Sequence, residues 1–161
     1  MTAKDFIEKE LLPTIESLAE SHPYSAFVLM AAGTEFLGKA MRKDAPWDDK
    51  SNHGREDFNA AIEKLFPPIY KQYDNDFNLY DKLRCGLLHI MLPKDGIMLH
   101  QKGKHLEEEK KLHLSCQAYL DDFKSASQAL LENQDYKDKV EQDFYDIVID
   151  TEGKPSTGST Y

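Results

Sequence analysis

The sequence predicts a mainly α fold, an up-and-down helical bundle with one β-hairpin inserted late in the chain. Three observations predict it. Apolar residues recur at three- and four-residue spacing through most of the chain, the pattern of helices with one buried face. Around Ile97 to Ser115 the period falls to two, as in strands, and then returns to the helical value. A chain of 161 residues that is 40% apolar and 11% aromatic can bury a core of ordinary size, so one helical domain is expected over 1–150.

The elements follow in order. Over residues 3–20, Phe6, Ile7, Leu11, Leu12, Ile15 and Leu18 make one apolar face, and Pro13 predicts a kink or short break near Leu12 because it has no N–H to donate. "SHP" resets the chain, since the residue before a proline avoids the helical region. Residues 24–42 are apolar almost all round, which makes this helix central in the bundle. Glu35 lies on it beside Phe27, Val28 and Ala31, and a carboxylate there needs a structural partner.

"KDAPWDDKSNHGRED" is a polar loop, 56–66 is a short helix stopped by two prolines, and 70–75 leads to the next segment. There Asp76 is the expected N-cap of a helix over 77–91, closed by Pro93 and Gly96. "IMLH" and "LHLS" alternate, which predicts a hairpin over 97–115 with "QKGKHLEEEKK" as its charged loop. Residues 116–131 return to helical spacing, and a last helix is expected over 136–149. "TEGKPSTGSTY", 151–161, has the composition of a disordered tail.

Charge and cysteine content narrow the function. The formal charge of -9 argues against a general binder of polyanions. Yet residues 82–114 carry seven Lys or Arg against four acids, and four of the six histidines, so one face could meet an anion. Two cysteines give no disulfide framework and "MTAKDFIEKE" is no signal peptide, which predicts a cytoplasmic, reduced protein. The longest apolar run, "AFVLMAA", is far short of the roughly 20 residues of a membrane span, so no membrane association is expected.

"LYDKLRCGLLHIMLPKDGI" holds the strongest chemical signal, Arg84 and His89 on one helix. Five steps of about 100° set them about 140° apart on an ideal helix, so a regular helix cannot close both on one anion. Either a loss of helical geometry near His89 or a second copy packed across a two-fold axis would join them. Histidine transfers protons near neutral pH, and arginine holds charge that builds on phosphorus; together they suit metal-independent chemistry on a phosphodiester. Lys82, His100 and His113 are the expected further ligand-binding residues in this basic stretch.

"RCGLLH" resembles the R-x4-6-H signature of HEPN domains, and the likeness is to the uncharacterised prokaryotic kind. Cys85 stands where nuclease members commonly have Asn, Asp or His, and a thiol is a weak donor. The resemblance implies an all-helical bundle, Arg84 and His89 as catalytic residues, and a homodimer. It also implies RNA or a nucleotide as ligand, ribonuclease or toxin activity without a metal or other cofactor, and an antitoxin-like partner protein.

The residues leave a second reading open, a non-catalytic helical interaction or dimerisation module in which His89 is solvated and Arg84 is the salt-bridge partner of Glu35. His100, His105, His113 and Cys116 are zinc-ligand types, but their spacing matches no metal motif, so no metal site is expected.

Overall fold

The computed structural model describes residues 1–143, so the helix expected over 136–149 is seen only in part, as the 3₁₀ turn Gln134–Tyr136 and the helix Lys137–Val140. The expected domain end at 150 and the tail over 151–161 lie outside the described residues. The fold is mainly helical. Its first stretch is α1 (Ala3–Asp5), a π-wound segment Phe6–Leu11, and α2 (Leu12–Ser21). Thr2 caps it, its side-chain oxygen accepting from the Asp5 N–H at 3.0 Å. The winding changes at Leu12, beside Pro13, whose missing N–H leaves the ordinary i→i−4 ladder open at that point.

α3 (Pro23–Ala40) is the central helix, packed on α2, α4 (Gly54–Lys64) and α7 (Cys116–Glu132). Its buried side chains include Phe27, Met30, Ala31, Thr34 and Leu37. Thr34 is the polar member of that face, and its hydroxyl is satisfied by the Met30 carbonyl at 2.8 Å and Tyr119 Oη at 2.9 Å. Gly38 lets α4 approach closely: a Cβ there would lie 1.7 Å from the Asp57 carbonyl oxygen. Phe66, Tyr70, Tyr119 and Phe123 fill the space beyond with tilted and stacked rings.

The expected helix over 77–91 is not one helix, and Asp76 is not its N-cap. α5 (Ile69–Phe77) runs through that position and ends at Asn78, which is left-handed at φ 52°. Asn and Asp tolerate this conformation better than other side chains, and here both assist the restart. Asp74 Oδ1 accepts from the Leu79 N–H at 2.8 Å and Asn78 Oδ1 from the Asp81 N–H at 3.2 Å. The chain then winds as a π-helix over Tyr80–Cys85 and as α6 over Gly86–Ile90.

The single hairpin expected over 97–115 is a three-stranded mixed sheet. β1 (Ile97–His100) runs parallel to β3 (Lys111–Ser115), in the register Ile97↔Leu112 and Leu99↔Leu114, and β2 (Leu106–Glu108) pairs antiparallel on the other edge of β3. The tight turn is Glu109–Lys110, both left-handed at φ 49° and 62°. Two-residue turns of this kind normally use Asn-Gly, so "EEEKK" carries none of the usual sequence signal for a turn. The inward alternation is as expected, with Ile97, Leu112 and Leu114 buried against the helices. Among the described residues the buried apolar side chains join one cluster running from Ala3 to Val140. No helix among the described residues is long and apolar enough to cross a membrane.

Candidate anion-binding cleft

Local winding decides the site. Arg84 lies near the end of the π-wound segment and His89 lies in α6, so the five steps between them are not those of one regular helix. The widened winding continues at the end of α6, where the Met91 N–H reaches back five residues to the Gly86 carbonyl, and Met91 itself is left-handed at φ 57°. The chain then folds over Gly86, where a Cβ would lie 2.5 Å from the Leu92 carbonyl oxygen. That contact accounts for a glycine in "RCGLLH". In this segment Arg84 Nη1 and His89 Nε2 stand 3.4 Å apart within one chain. With Arg84 as the donor, Nε2 accepts and the ring proton of His89 sits on Nδ1.

Arg84 is held from several sides. Its Nε lies 2.5 Å from Glu35 Oε2, its Nη1 donates weakly to Cys85 Sγ at 3.9 Å, and its guanidinium stands 5.4 Å from the centroid of the Tyr80 ring. The side chains of Arg84 and Glu35 are 16% and 24% exposed, and the Nε–H is not aimed at the carboxylate, so the contact is ionic more than a directed hydrogen bond. Burial disfavours the guanidinium charge and the Glu35 carboxylate outweighs it, so the Arg84 pKa stands above its ordinary value. Arg84 Nη2 makes no hydrogen bond among the described residues.

The rest of the lining comes from the end of α3, the loop after it and the start of α4. Arg42 bridges Asp49 and Asp57, each at 2.8 Å. The Ser51 hydroxyl and N–H, with Arg42 behind them, hold the Asp49 carboxyl well below the usual carboxylate range. Burial raises the pKa of Asp57 against the pull of Arg42. His53 precedes α4 directly, and Gly54 brings the backbone against the Arg84 pair: a Cβ at Gly54 would meet Tyr80 Oη at 3.0 Å and Glu35 Oε1 at 3.1 Å. The space enclosed is an open cleft of about 360 Å³ lined by Glu35, Lys39, Arg42, His53, Tyr80, Arg84 and His89 among others. Its three permanent cations, Lys39, Arg42 and Arg84, balance three carboxylates, Glu35, Asp49 and Asp57. A wider depression of about 470 Å³ near Lys43, Asp138 and Lys139 borders the end of the described residues and gathers no histidine.

Lys82, His100 and His113, the further ligand-binding residues expected from the sequence, do not line this cleft. Lys82 Nζ lies against Gly96. The parallel register sets His113 opposite Met98 on the outer side of the sheet, and His100 reaches it diagonally, Nε2 to Nδ1 at 2.7 Å with the rings stacked. His105 is buried elsewhere: it accepts from the Ser115 N–H at Nδ1 (3.1 Å) and donates from Nε2 to Tyr70 Oη (2.7 Å). Tyr70 in turn donates to Asp122 at 2.8 Å. Among the described residues no three His, Cys, Asp or Glu side chains gather as a metal-ligand set.

Sequence reasoning missed His53, Lys39 and Arg42. His53 lies in a stretch that reads only as a linker, and no periodicity or spacing ties it to Arg84. No family model, curated protein or solved structure matches the chain.

Proposed function

We propose that this cleft binds the phosphate of RNA or of a nucleotide, and that Arg84 and His89 cleave RNA there without a metal, as the HEPN resemblance of "RCGLLH" suggests. One observation carries the reading: Arg84 and His89 stand 3.4 Å apart at the wall of an open cleft. Arg84 neutralises the phosphate and the charge that builds on it in the transition state, and His89 moves a proton. Cys85 then serves as a weak partner of Arg84 instead of a ligand for phosphate. Cytoplasmic, reducing surroundings fit this role, since Cys85 and Cys116 are both free thiols.

Purified protein should cut single-stranded RNA in EDTA, leaving a 2′,3′-cyclic phosphate and a 5′-hydroxyl. His89→Ala should lower the rate by about 100-fold or more while leaving the melting temperature unchanged. Binding should weaken steeply with salt. Wild-type protein that neither binds nor cuts RNA at low salt would sink the reading.

A second reading rests on the tip of the same segment. Ile90, Met91 and Leu92 are 59%, 57% and 60% exposed, a run of apolar side chains next to His89. It supports a non-catalytic interaction module whose partner is a second copy or an antitoxin-like protein. Arg84 and His89 meet within one chain, so joining them does not require a second copy. The homodimer therefore rests on this tip alone, and sedimentation of the wild type against Met91→Lys separates it from a monomer.

A further inference from the structure

We infer that His53 is the second proton-transfer residue of the cleft, with His89 the first, and that the two imidazoles together carry the RNA cleavage proposed above, on which this inference rests. The chemistry asks for two groups. When the 2′-oxygen attacks phosphorus, its proton must go to a base. When the bond from phosphorus to the 5′-oxygen breaks, that oxygen must receive a proton from an acid on the far side of the phosphorus. One imidazole on one wall cannot reach both positions at once, and Arg84 does not give up its proton at physiological pH.

The structure places one further candidate in the lining of the cleft. His53 lines the same cleft of about 360 Å³ as Arg84 and His89, and comes from the start of α4 while they come from the segment before β1. Its backbone is fixed on both sides: its N–H donates to the Ser51 carbonyl at 3.1 Å and its own carbonyl accepts from the Asp57 N–H at 2.8 Å. The next residue, Gly54, sits where a Cβ would be 3.1 Å from Glu35 Oε1, so the backbone carrying His53 abuts the ion pair that holds Arg84.

The ring itself is uncommitted. Of the six histidines, His22 bonds Ser21, His89 meets Arg84, His100 and His113 pair, and His105 is tied to Ser115 and Tyr70. The His53 ring makes no hydrogen bond among the described residues, although it is only half-exposed. Neither nitrogen would have to give up a hydrogen bond to take a ligand, and the ring is near enough to Asp57 for their charges to interact. Lys39 lines the same cleft, where its charge acts on Asp57.

The step balances with one imidazole neutral and the other protonated. The neutral ring takes the 2′-hydroxyl proton as the new O–P bond forms. The protonated ring gives its proton to the departing 5′-oxygen. The products are a 2′,3′-cyclic phosphate and a 5′-hydroxyl, and the two rings have exchanged protonation states, which water restores. No electron transfer and no further reactant is involved.

The test compares wild type, His53→Ala, His53→Gln and His89→Ala on a single-stranded RNA oligonucleotide in EDTA, with melting temperature as the control for folding. Both His53 variants should keep the wild-type melting temperature and lose about 100-fold or more in kcat, with KM changed little. An oligonucleotide with sulfur in place of the bridging 5′-oxygen loses a thiolate that needs no proton. It should restore the rate of one of the two alanine variants and not of the other, which also assigns the acid.

Full activity in both His53 variants, beside an inactive His89→Ala, would overturn the role of His53 and leave the ribonuclease reading standing. A sulfur substrate that rescues neither alanine variant would likewise reduce His53 to a structural part. An inactive wild type would overturn both inferences together.

Discussion

His89 and His105 are the same side chain put to opposite uses. His105 is 8% exposed and engaged at both nitrogens, in a relay from Ser115 through Tyr70 to Asp122 that ties the loop before β2 to α5 and α7. His89 lies on the wall of an open cleft with a single partner 3.4 Å away. Every donor and acceptor around His105 is already satisfied, which suits it to stability. The cleft leaves the rings of His53 and His89 and one end of Arg84 with room for a ligand. Residue type therefore says little about role here; the number of committed hydrogen bonds says more.

The largest effect should come from breaking the closed side of this contrast. Tyr70→Phe removes the hydroxyl that joins His105 to Asp122, strands a buried N–H, and should lower stability by about 2 kcal/mol in urea denaturation. A change within experimental error would mean that the relay is decorative. On the open side, Arg84→Ala leaves Glu35 without its cation, but water reaches that carboxylate. The expected cost is about 1–2 kcal/mol, below the 3–5 kcal/mol typical of a deeply buried pair. A loss larger than that of Tyr70→Phe would show the cleft to be the more structural region of the two.

The smallest effect is a pH dependence. Burial pushes the His105 pKa below its ordinary value of 6.5, against the opposing pull of Asp122. The unfolded chain then takes up a proton before the native one does. The stability contributed by neutral His105 is complete above the ordinary value and is lost as pH falls from there through the lower native value. The urea midpoint of the wild type should drop between about pH 7.5 and 5.5 by more than that of His105→Gln, which cannot titrate. Parallel slopes for the two proteins would contradict this.

Much of the scaffold was legible in the sequence because burial patterns write it directly. The all-round apolar character of residues 24–42 matches a central α3, the alternation of Ile97 and Leu99 matches inward strand faces, and Pro13 marks a change of winding. Strand direction was not legible. Leu112 and Leu114 face the core whether their neighbour is parallel or antiparallel, and Glu109–Lys110 lacks the residues that usually announce a tight turn. Glu35 was legible as a carboxylate needing a partner, and Arg84 stands beside it. The meeting of Arg84 with His89 was not, because it depends on winding, and neither was His53, because it depends on how α4 folds back across α3.

A π-wound turn can be regarded as an ordinary helix that has gained one residue. That residue lies ahead of the Arg84–His89 pair, and removal of one residue from the first turn of Tyr80–Cys85 would return the segment to regular winding. Arg84 and His89 would then swing together by about 100° around the helix axis, away from Glu35, with the number of residues between them unchanged. Two chains with an equally spaced arginine and histidine can therefore differ in what that pair faces, and the difference is topographic, invisible to any count of intervening residues.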